Sequence, residues 1–181
     1  MAETELKYRL DGVGEHDRLR AELARTGGRM IGKHREENRL FDSARGRLRR
    51  RGAVLRIRTL DGGTGGVLTL KGPPLFVGAV KTRDEREVAV ADADALAVLL
   101  AGLGYRVTAA YGKLREEWRV GDVLVALDEL DFGSFVELEG PAEEIVGLAD
   151  RLGLREAQAE RAGYPALAAR YLAPGGPAAP P

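Results

Sequence analysis

The chain has 181 residues, of which 44% are hydrophobic and 31% are charged, and its 28 basic side chains balance 28 acidic ones. This composition suits one globular domain with a sizeable core, and the neutral balance argues against a protein that coats nucleic acid through a general basic excess. The absence of cysteine excludes disulfides and thiolate metal sites, and two histidines are too few for a multi-histidine zinc site.

Strand and turn signals dominate the first half of the chain. The opening segment "ETELKYRL" alternates charged and apolar residues, which predicts a strand, and "GVGEHDRLRAELARTGG" predicts a helix that ends at its Gly-Gly pair. Four further strands are predicted at "RMIGKHREENRLFD", "GAVLRIRTL", "VLTLKG" and "VKTRDEREVAV". We expect "DGGTGG" to form a hairpin turn, "PPLFVGA" a loop and "RGRLRRRG" a solvated basic loop.

Helices frame three strands in the second half. Asp92 is the predicted N-cap of the helix "ADALAVLLAGLGY", which ends at one of its two glycines. The strands "YGKLREEWRV", "VLVALDEL" and "SFVELEG" follow, then the helix "PAEEIVGLADRL" and a shorter helix up to about residue 172. We therefore predict one domain over residues 1–172 and a disordered Pro/Gly-rich tail over residues 173–181.

Strands that come in runs favour an antiparallel sheet or barrel with helices outside it over a doubly wound parallel sheet. Neither standard Gly-rich phosphate loop is present in the sequence.

Charged residues recur at every second position in most of the predicted strands, so each strand has one charged face. These positions are Glu3, Glu5, Lys7, Arg56, Arg58, Lys71, Lys81, Arg83, Glu85, Glu87, Lys113, Arg115, Glu117, Asp128, Glu137 and Glu139. For any single strand, a solvated outer face is the simpler explanation. However, the Glu pairs lie on the first and last strands while Lys and Arg dominate the middle ones, and random solvating faces usually mix the signs. The predicted helices also need the apolar faces to pack against, which leaves the charged faces to line a lumen.

A lumen lined with charges is a binding site, because unpaired buried charges are too costly for a dry core. Guanidinium and ammonium groups on several walls suit a polyphosphate, whose oxygens they bind. Carboxylates in the same space are explained if they hold a divalent metal that bridges them to the phosphates. The residues alone therefore predict a metal-assisted polyphosphate site.

Eight segments resemble, in the same order, the sequence blocks of the CYTH family, the triphosphate tunnel metalloenzymes. They are "ETELK", "ENRLFD", "LRIR", "LTLKG", "TRDERE", "KLREEW", "LDEL" and "FVELEG", and the resemblance covers roughly residues 3–140. It implies an α+β fold in which an eight-stranded antiparallel β-barrel, open at both ends and with helices packed outside, binds a triphosphate together with Mg²⁺ or Mn²⁺.

The resemblance also implies roles for particular residues. Glu3, Glu5, Glu137 and Glu139 match the family's metal-binding pairs, and Asp128 matches a further metal or water ligand. The residues that match its phosphate-binding positions are Lys7, Arg56, Arg58, Lys71, Arg83, Lys113 and Arg115. Among these sets, Glu5, Asp128 and Lys7 are the implied catalytic residues.

Two positions stay open at this stage. The segment "TRDERE" is compatible with two registers, and parity with Lys81 and Glu85 favours Arg83 over Arg86. Lys81 itself is on the charged face but is compatible with a place either inside the lumen or at its rim.

The resemblance covers both triphosphatases and class IV adenylyl cyclases, and the motifs do not separate the two. We favour a triphosphatase that acts on inorganic triphosphate, thiamine triphosphate or a nucleoside triphosphate, because hydrolysis needs only water and a triphosphate. The alternative is a class IV adenylyl cyclase, and a non-catalytic polyphosphate- or nucleotide-binding module is a third interpretation. We expect a small-molecule triphosphate as the ligand and no nucleic-acid or membrane partner, and a homodimer is left open. No apolar run is long enough to span a membrane and no secretory signal pattern is present, so a cytoplasmic location is expected. We expect His16 and His34 at the surface or in loops.

Overall fold

The structure is a computed structural model that describes residues 2–12 and 14–171. Its strands are β1 (Ala2–Leu10), β2 (Arg29–Ser43), β3 (Val54–Leu60), β4 (Gly66–Lys71), β5 (Leu75–Val77), β6 (Val80–Val90), β7 (Tyr105–Val120), β8 (Val123–Leu130) and β9 (Gly133–Glu139). Its helices are α1 (Gly14–Arg25), α2 (Arg47–Arg50), α3 (Ala93–Gly102), α4 (Ala142–Arg151) and α5 (Tyr164–Tyr171), and a 3₁₀ turn spans Glu156–Gln158.

Eight of these strands form a closed antiparallel barrel. The order is β1-β9-β8-β7-β2-β3-β4-β6, and pairing of β6 with β1 closes the circle. In the closing pair Glu5 lies opposite Lys81 and Glu3 lies opposite Arg83. Because neighbouring residues on a strand point to opposite faces, this register sends all four of these side chains into the barrel. The predicted α+β barrel is confirmed.

The apolar outer face of the barrel is covered by helices. Leu19 and Leu23 of α1 and Ile145 and Leu148 of α4 are fully buried in one core with the outward residues of β1, β8 and β9. Leu100 of α3 packs in a second cluster on the outer face of β2 and β3. Burying each such side chain contributes roughly 1.5–3 kcal/mol. The helices therefore hold the apolar faces outward and leave the charged faces to the interior.

Local signals place two helices. The Asp92 carboxylate accepts hydrogen bonds from the backbone N–H groups of Asp94 and Ala95, which caps α3 as predicted. The short helix α2 was not predicted within the basic loop. Its N–H groups at Leu48 and Arg49 donate to the carboxylate of Asp42, the residue before the last of β2. A carboxylate from the preceding strand thus satisfies a helix start whose N-cap residue, Gly46, has no side chain to cap it.

Two strand boundaries differ from the predictions. The segment predicted as a loop, "PPLFVGA", contains β5, a three-residue strand that pairs with β6. Strand β7 begins at Tyr105 instead of Tyr111, because its first residues pair with the end of the long strand β2. The small and polar residues of this segment give no clear period of two. The predicted tail over residues 173–181 lies outside the described residues.

Among the described residues, no helix is long and apolar enough to cross a membrane.

Candidate active site inside the barrel

The barrel encloses a cavity of about 580 Å³ in which most of the lining residues are charged. Its acidic lining residues are Glu3, Glu5, Glu85, Glu87, Glu117, Glu137 and Glu139. Its basic lining residues are Lys7, Arg56, Arg58, Lys71, Lys81, Arg83, Lys113 and Arg115. Eleven of the twelve residues proposed from the sequence line this cavity; Asp128 does not.

The charged side chains are distributed unevenly between the two ends of the cavity. The registers place the N-terminal end of β1 beside the C-terminal ends of β9 and β7 and the later part of β6. One end of the barrel, here called the acidic end, therefore carries Glu3, Glu85, Glu87, Glu117 and Glu139. Half of the basic side chains contact this carboxylate ring, namely Arg56, Arg58, Lys71 and Arg83. The other four, Lys7, Lys81, Lys113 and Arg115, lie deeper. A polyanion that enters from the acidic end meets both the carboxylates and their basic partners, and a cation bound at the ring would offset the repulsion from the carboxylates.

Two carboxylates of the acidic end and the neighbouring Glu5 converge closely enough to share a metal ion. One oxygen from each of Glu3, Glu5 and Glu139 lies within 4.8 Å of the others. Oxygen ligands at this spacing suit a hard divalent cation. The cost of gathering them is visible at Glu139, where burial and the charges of Glu137, Glu3 and Glu5 outweigh Arg115 and raise the pKa to about 7. A bound cation would relieve that repulsion, so the residues fit the implied metal.

Glu3 and Glu85 are two interacting carboxyl groups on the neighbouring strands β1 and β6. Burial and the hydrogen bond with Glu3 raise the pKa of Glu85 to about 7. Burial also disfavours the charge on Glu3, but the hydrogen bond from Glu85 and the charge of Lys71 outweigh it and hold its pKa at about 2. The Lys71 ammonium bridges the two, 2.8 Å from Glu3 Oε2 and 2.7 Å from Glu85 Oε2. Of the two carboxyl groups, Glu85 is therefore the one that takes up a proton as the pH falls below about 7.

Arg115 is the centre of the deeper, basic region. Its Nε and Nη2 donate to the two oxygens of Asp128 at 2.7 and 2.6 Å, and Nη2 also donates to Glu137. Lys113 Nζ lies 3.2 Å from Asp128 Oδ2, and Lys7 Nζ lies 3.4 Å from Glu137 Oε1. Asp128 is completely buried, so its carboxylate holds cations in place and does not face the cavity. Two hydrogen bonds to Asp128 hold the Arg115 guanidinium group in one orientation, and its opposite edge is left for a ligand in the cavity.

A CYTH domain family model matches residues 1–165. The chain belongs to the CYTH family. Adenylate cyclase CyaB from Aeromonas hydrophila is 32% identical, over 94% of this chain and 90% of that protein. A solved Vibrio parahaemolyticus structure described as a "putative adenylate cyclase" superposes with a TM-score of 0.79 at 24% identity, covering 91% of this chain and 96% of that one. A "putative adenylyl cyclase" from Hippeastrum, described as having a dominant triphosphatase activity, gives a TM-score of 0.71 at 24% identity, covering 89% and 91%.

CYTH domain proteins are triphosphatases or class IV adenylyl cyclases, and the predicted class of enzyme is confirmed at this level. The family is metal-dependent, in agreement with the carboxylate cluster of Glu3, Glu5 and Glu139. The structure also resolves the two open positions. Arg83 lines the CYTH cavity, whereas Arg86 is exposed on the outside of β6. Lys81 is buried inside, where its ammonium pairs with Glu5.

Glu36 is a member of the CYTH site that the sequence reasoning missed. Its side chain is completely buried, and its oxygens lie 3.4 Å from Lys113 Nζ and 3.4 Å from Arg58 Nη1. Burial would raise its pKa, but the charges of Lys113, Arg115 and Arg58 outweigh it and hold the pKa at about 2. Glu36 therefore stays ionised and fixes the cations from behind. The surrounding sequence, "KHREEN", is polar on both faces, so parity alone could not assign Glu36 to the interior.

The opposite end of the CYTH barrel, here called the aromatic end, is covered. Phe135 lies on the same face of β9 as Glu137. It is fully buried and packs with Phe132 and with Tyr164 of α5. Gly163, Tyr164 and Pro165 line the cavity at this end. The resemblance implies a barrel open at both ends; here α5 lies across one of them. The signal for this closure is long-range packing, which no strand period reveals.

The two histidines are less exposed than expected. His16 is buried on α1, where its Nε2–H donates to the carbonyl oxygen of Phe135 at 3.2 Å. Burial lowers the pKa of His16, which keeps it neutral. His34 is partly buried on β2 beside Glu36. His16 therefore ties α1 to the barrel wall, and the expectation of a surface or loop position was wrong.

Proposed function

We propose that this protein is a metal-dependent triphosphatase that hydrolyses a terminal phosphoanhydride inside the barrel. The observation that carries the proposal is the arrangement of one cavity with a carboxylate cluster at its acidic end and eight Lys and Arg side chains on its wall. The triphosphatase activity described for the Hippeastrum relative supports the choice of hydrolysis. Hydrolysis also needs only water and a triphosphate, whereas cyclisation needs a pocket for the nucleoside.

The basic side chains supply the binding and most of the electrostatic catalysis. Phosphoryl transfer depends chiefly on positioning and on the offset of charge as the leaving group departs. Lys7, Lys81 and Arg115 project from three different strands into the same space, so they can contact the oxygens of successive phosphates. Arg56 and Arg58 each keep a buried Nε with no hydrogen-bond partner among the described residues, which leaves donors for an anion.

The carboxylates at the acidic end would hold the metal and orient the water. Mg²⁺ or Mn²⁺ held by Glu3, Glu5 and Glu139 would offset the charge of the phosphates and draw them to the carboxylate ring. Glu5 lies at the boundary between this ring and the basic region, where it pairs with Lys81. We assign to Glu5 the orientation of the water that attacks the terminal phosphorus. The products are then phosphate and the shortened phosphate chain.

We place Asp128 behind the site as the residue that holds Arg115 and Lys113, because its carboxylate is buried and fully engaged. Glu137, which pairs with Lys7 and Arg115, has the same supporting function. Both belong to the metal set that the resemblance implies, but neither lies in the cluster of converging oxygens. Lys7 remains the implied catalytic cation.

A class IV adenylyl cyclase is the second candidate, favoured by the name of the Aeromonas relative. The residues that line the cavity support cyclisation less strongly than hydrolysis. Its described aromatic residues are Tyr111 and Tyr164, and both are occupied: Tyr111 packs edge-on against Phe132, and Tyr164 is bonded to Asp128. Neither offers an open face on which a purine could stack.

The test is a product assay with tripolyphosphate, thiamine triphosphate and ATP, each with Mg²⁺ or Mn²⁺. The proposal predicts release of free phosphate, with a loss of about 100-fold in Glu5→Gln. Glu143→Gln, on the exposed surface of α4, is the matched control and should match the unmodified protein. Tight metal-independent binding without turnover would overturn the proposal in favour of a binding module.

A further inference from the structure

Tyr164 belongs to α5, beyond the barrel strands, yet it lines the cavity and is only 6% exposed. Its hydroxyl donates to Asp128 Oδ2 at 2.8 Å. Burial, together with the charges of Asp128 and Glu137, raises the pKa of Tyr164 well above its ordinary value. The hydroxyl therefore keeps its proton and remains a donor near neutral pH.

The bond from Tyr164 completes the set of donors around Asp128. Oδ2 of Asp128 also accepts from Arg115 Nη2 at 2.6 Å and lies 3.2 Å from Lys113 Nζ. Three donors on one oxygen fix its position in three directions. Loss of the hydroxyl would remove the bond that ties Asp128 to α5, so that the carboxylate would shift together with Arg115 and Lys113.

The ring of Tyr164 contacts two cations of the site directly. Lys7 Nζ lies 4.2 Å from the ring centroid and Lys113 Nζ lies 5.1 Å from it. Both distances are within the range of a cation–π attraction, which strengthens in a desolvated site. One side chain therefore restrains Lys7 and Lys113 through its face and Arg115 through its hydroxyl.

The placement of Tyr164 is itself rigid. Leu167 and Ala168 of α5 are buried against Leu130 and Phe132, and the Tyr164 ring packs against Phe135 with centroids 5.2 Å apart. These contacts fix α5 across the aromatic end. The helix thus has a packed, apolar side that anchors it and one polar atom that reaches the site.

We propose that Tyr164 is a positioning residue that sets the phosphate-binding cations Lys7, Lys113 and Arg115. This inference rests on the proposed function, since it assumes that these cations bind the substrate phosphates. The residue does not touch the reacting atoms in this account. It acts through its ring on two lysines and through Asp128 on the arginine.

The experiment compares Tyr164→Phe and Tyr164→Leu with the control Tyr171→Phe. Tyr171 is in the same helix as Tyr164, and its ring packs on Phe132. Binding of tripolyphosphate is measured by calorimetry in chelator, without metal, and its turnover is measured with Mg²⁺. Tyr164→Phe should raise the Kd by about 10-fold through the lost hydroxyl. Tyr164→Leu should raise it by about a further 5-fold through the lost ring. Tyr171→Phe should leave Kd and turnover within about twofold, as expected away from the site.

A purely structural role is separated by a second readout. It would lower the melting temperature of Tyr164→Phe while the Kd of the folded protein stayed unchanged, and that result overturns the proposal. In an Asp128→Asn background, the effect of Tyr164→Phe should shrink, because the hydroxyl acts through that carboxylate. An undiminished effect there overturns the route through Asp128.

Failure of the proposed function gives a different pattern. If the protein binds tripolyphosphate but does not hydrolyse it, the function fails while the Kd series still supports or overturns the positioning of the cations. If hydrolysis is normal and Tyr164→Phe matches the unmodified protein in Kd and turnover, the positioning proposal alone is overturned. No tripolyphosphate binding at all overturns both.

Discussion

Arg115 and Asp128 lie opposite each other on β7 and β8 and are joined by two parallel hydrogen bonds, 2.7 Å from Nε to Oδ1 and 2.6 Å from Nη2 to Oδ2. Both side chains are buried inside the barrel wall. This geometry fixes the plane of the guanidinium group and leaves its outer edge toward the cavity. The pair explains how an aspartate can matter for a phosphate site that it does not line.

Removal of the Asp128 charge should destabilise the fold. Asp128→Asn leaves Arg115 and Lys113 buried with one carboxylate fewer, and breaking a buried ion pair in this way costs about 3–5 kcal/mol of unfolding free energy. Chemical denaturation measures it. Asp94→Asn is the control, because Asp94 pairs with Arg39 at an exposed position and its loss should change the stability by less than about 1 kcal/mol. Equal stability of the two variants would contradict this reading of Asp128.

Lys81 should prove to be a binding residue and not a rim residue. It is 6% exposed and lines the cavity beside Glu5, so Lys81→Gln removes a charged donor from a desolvated site. The expected result is a rise of about tenfold or more in the KM for tripolyphosphate. Lys33→Gln is the control, since the Lys33 side chain is 45% exposed outside the barrel. An unchanged KM in Lys81→Gln would place this lysine outside the substrate's reach.

Glu139 should contribute to metal binding while its neighbour Glu117 should not. Both line the cavity near the acidic end, but only Glu139 has an oxygen within the cluster formed with Glu3 and Glu5. We expect Glu139→Gln to weaken Mn²⁺ binding by about tenfold or more and Glu117→Gln to change it by about twofold at most. Titration of Mn²⁺ followed by electron paramagnetic resonance measures both. A larger loss in Glu117→Gln would move the metal site.

Stabilisation by metal should increase with pH. The pKa values of Glu139 and Glu85 are raised to about 7, so between roughly pH 4.5 and 7 the folded, metal-free protein binds more protons than the unfolded chain. These two groups therefore lose their stabilising contribution as the pH rises through about 7. A divalent cation competes with the same protons, so Mg²⁺ should raise the melting temperature more at about pH 8 than at about pH 5.5.

Thermal melts with and without Mg²⁺ at the two pH values test this directly. Glu85→Gln serves as the matched variant, because it removes one of the two titrating groups without removing an oxygen of the Glu3, Glu5 and Glu139 cluster, and it should reduce the difference. An equal Mg²⁺ effect at both pH values in the unmodified protein would show that the metal does not compete with these protons.

The two-residue period of the strands predicted the residues that line the cavity better than the residues that hold those side chains in place. Alternation assigned Arg56 and Arg58 to one face, and the need to bury the helices turned that face inward; the structure agrees. Glu36 was missed because its strand is polar on both faces. Tyr164 was missed because it reaches the cavity from a helix whose position depends on packing against Phe135. Alternation along a strand identifies the residues that line the cavity, whereas contacts between distant segments determine which residues pack behind them.

The partition of ATP between two products tests the central claim most directly. Purified protein is incubated with ATP and either Mg²⁺ or Mn²⁺, and free phosphate and cyclic AMP are quantified in the same reaction, with Glu5→Gln and Glu143→Gln in parallel. The account predicts that phosphate is the dominant product and that Glu5→Gln lowers its release about 100-fold while Glu143→Gln does not. Cyclic AMP formed in equal amount to pyrophosphate, with little free phosphate, would contradict it and make the protein a cyclase.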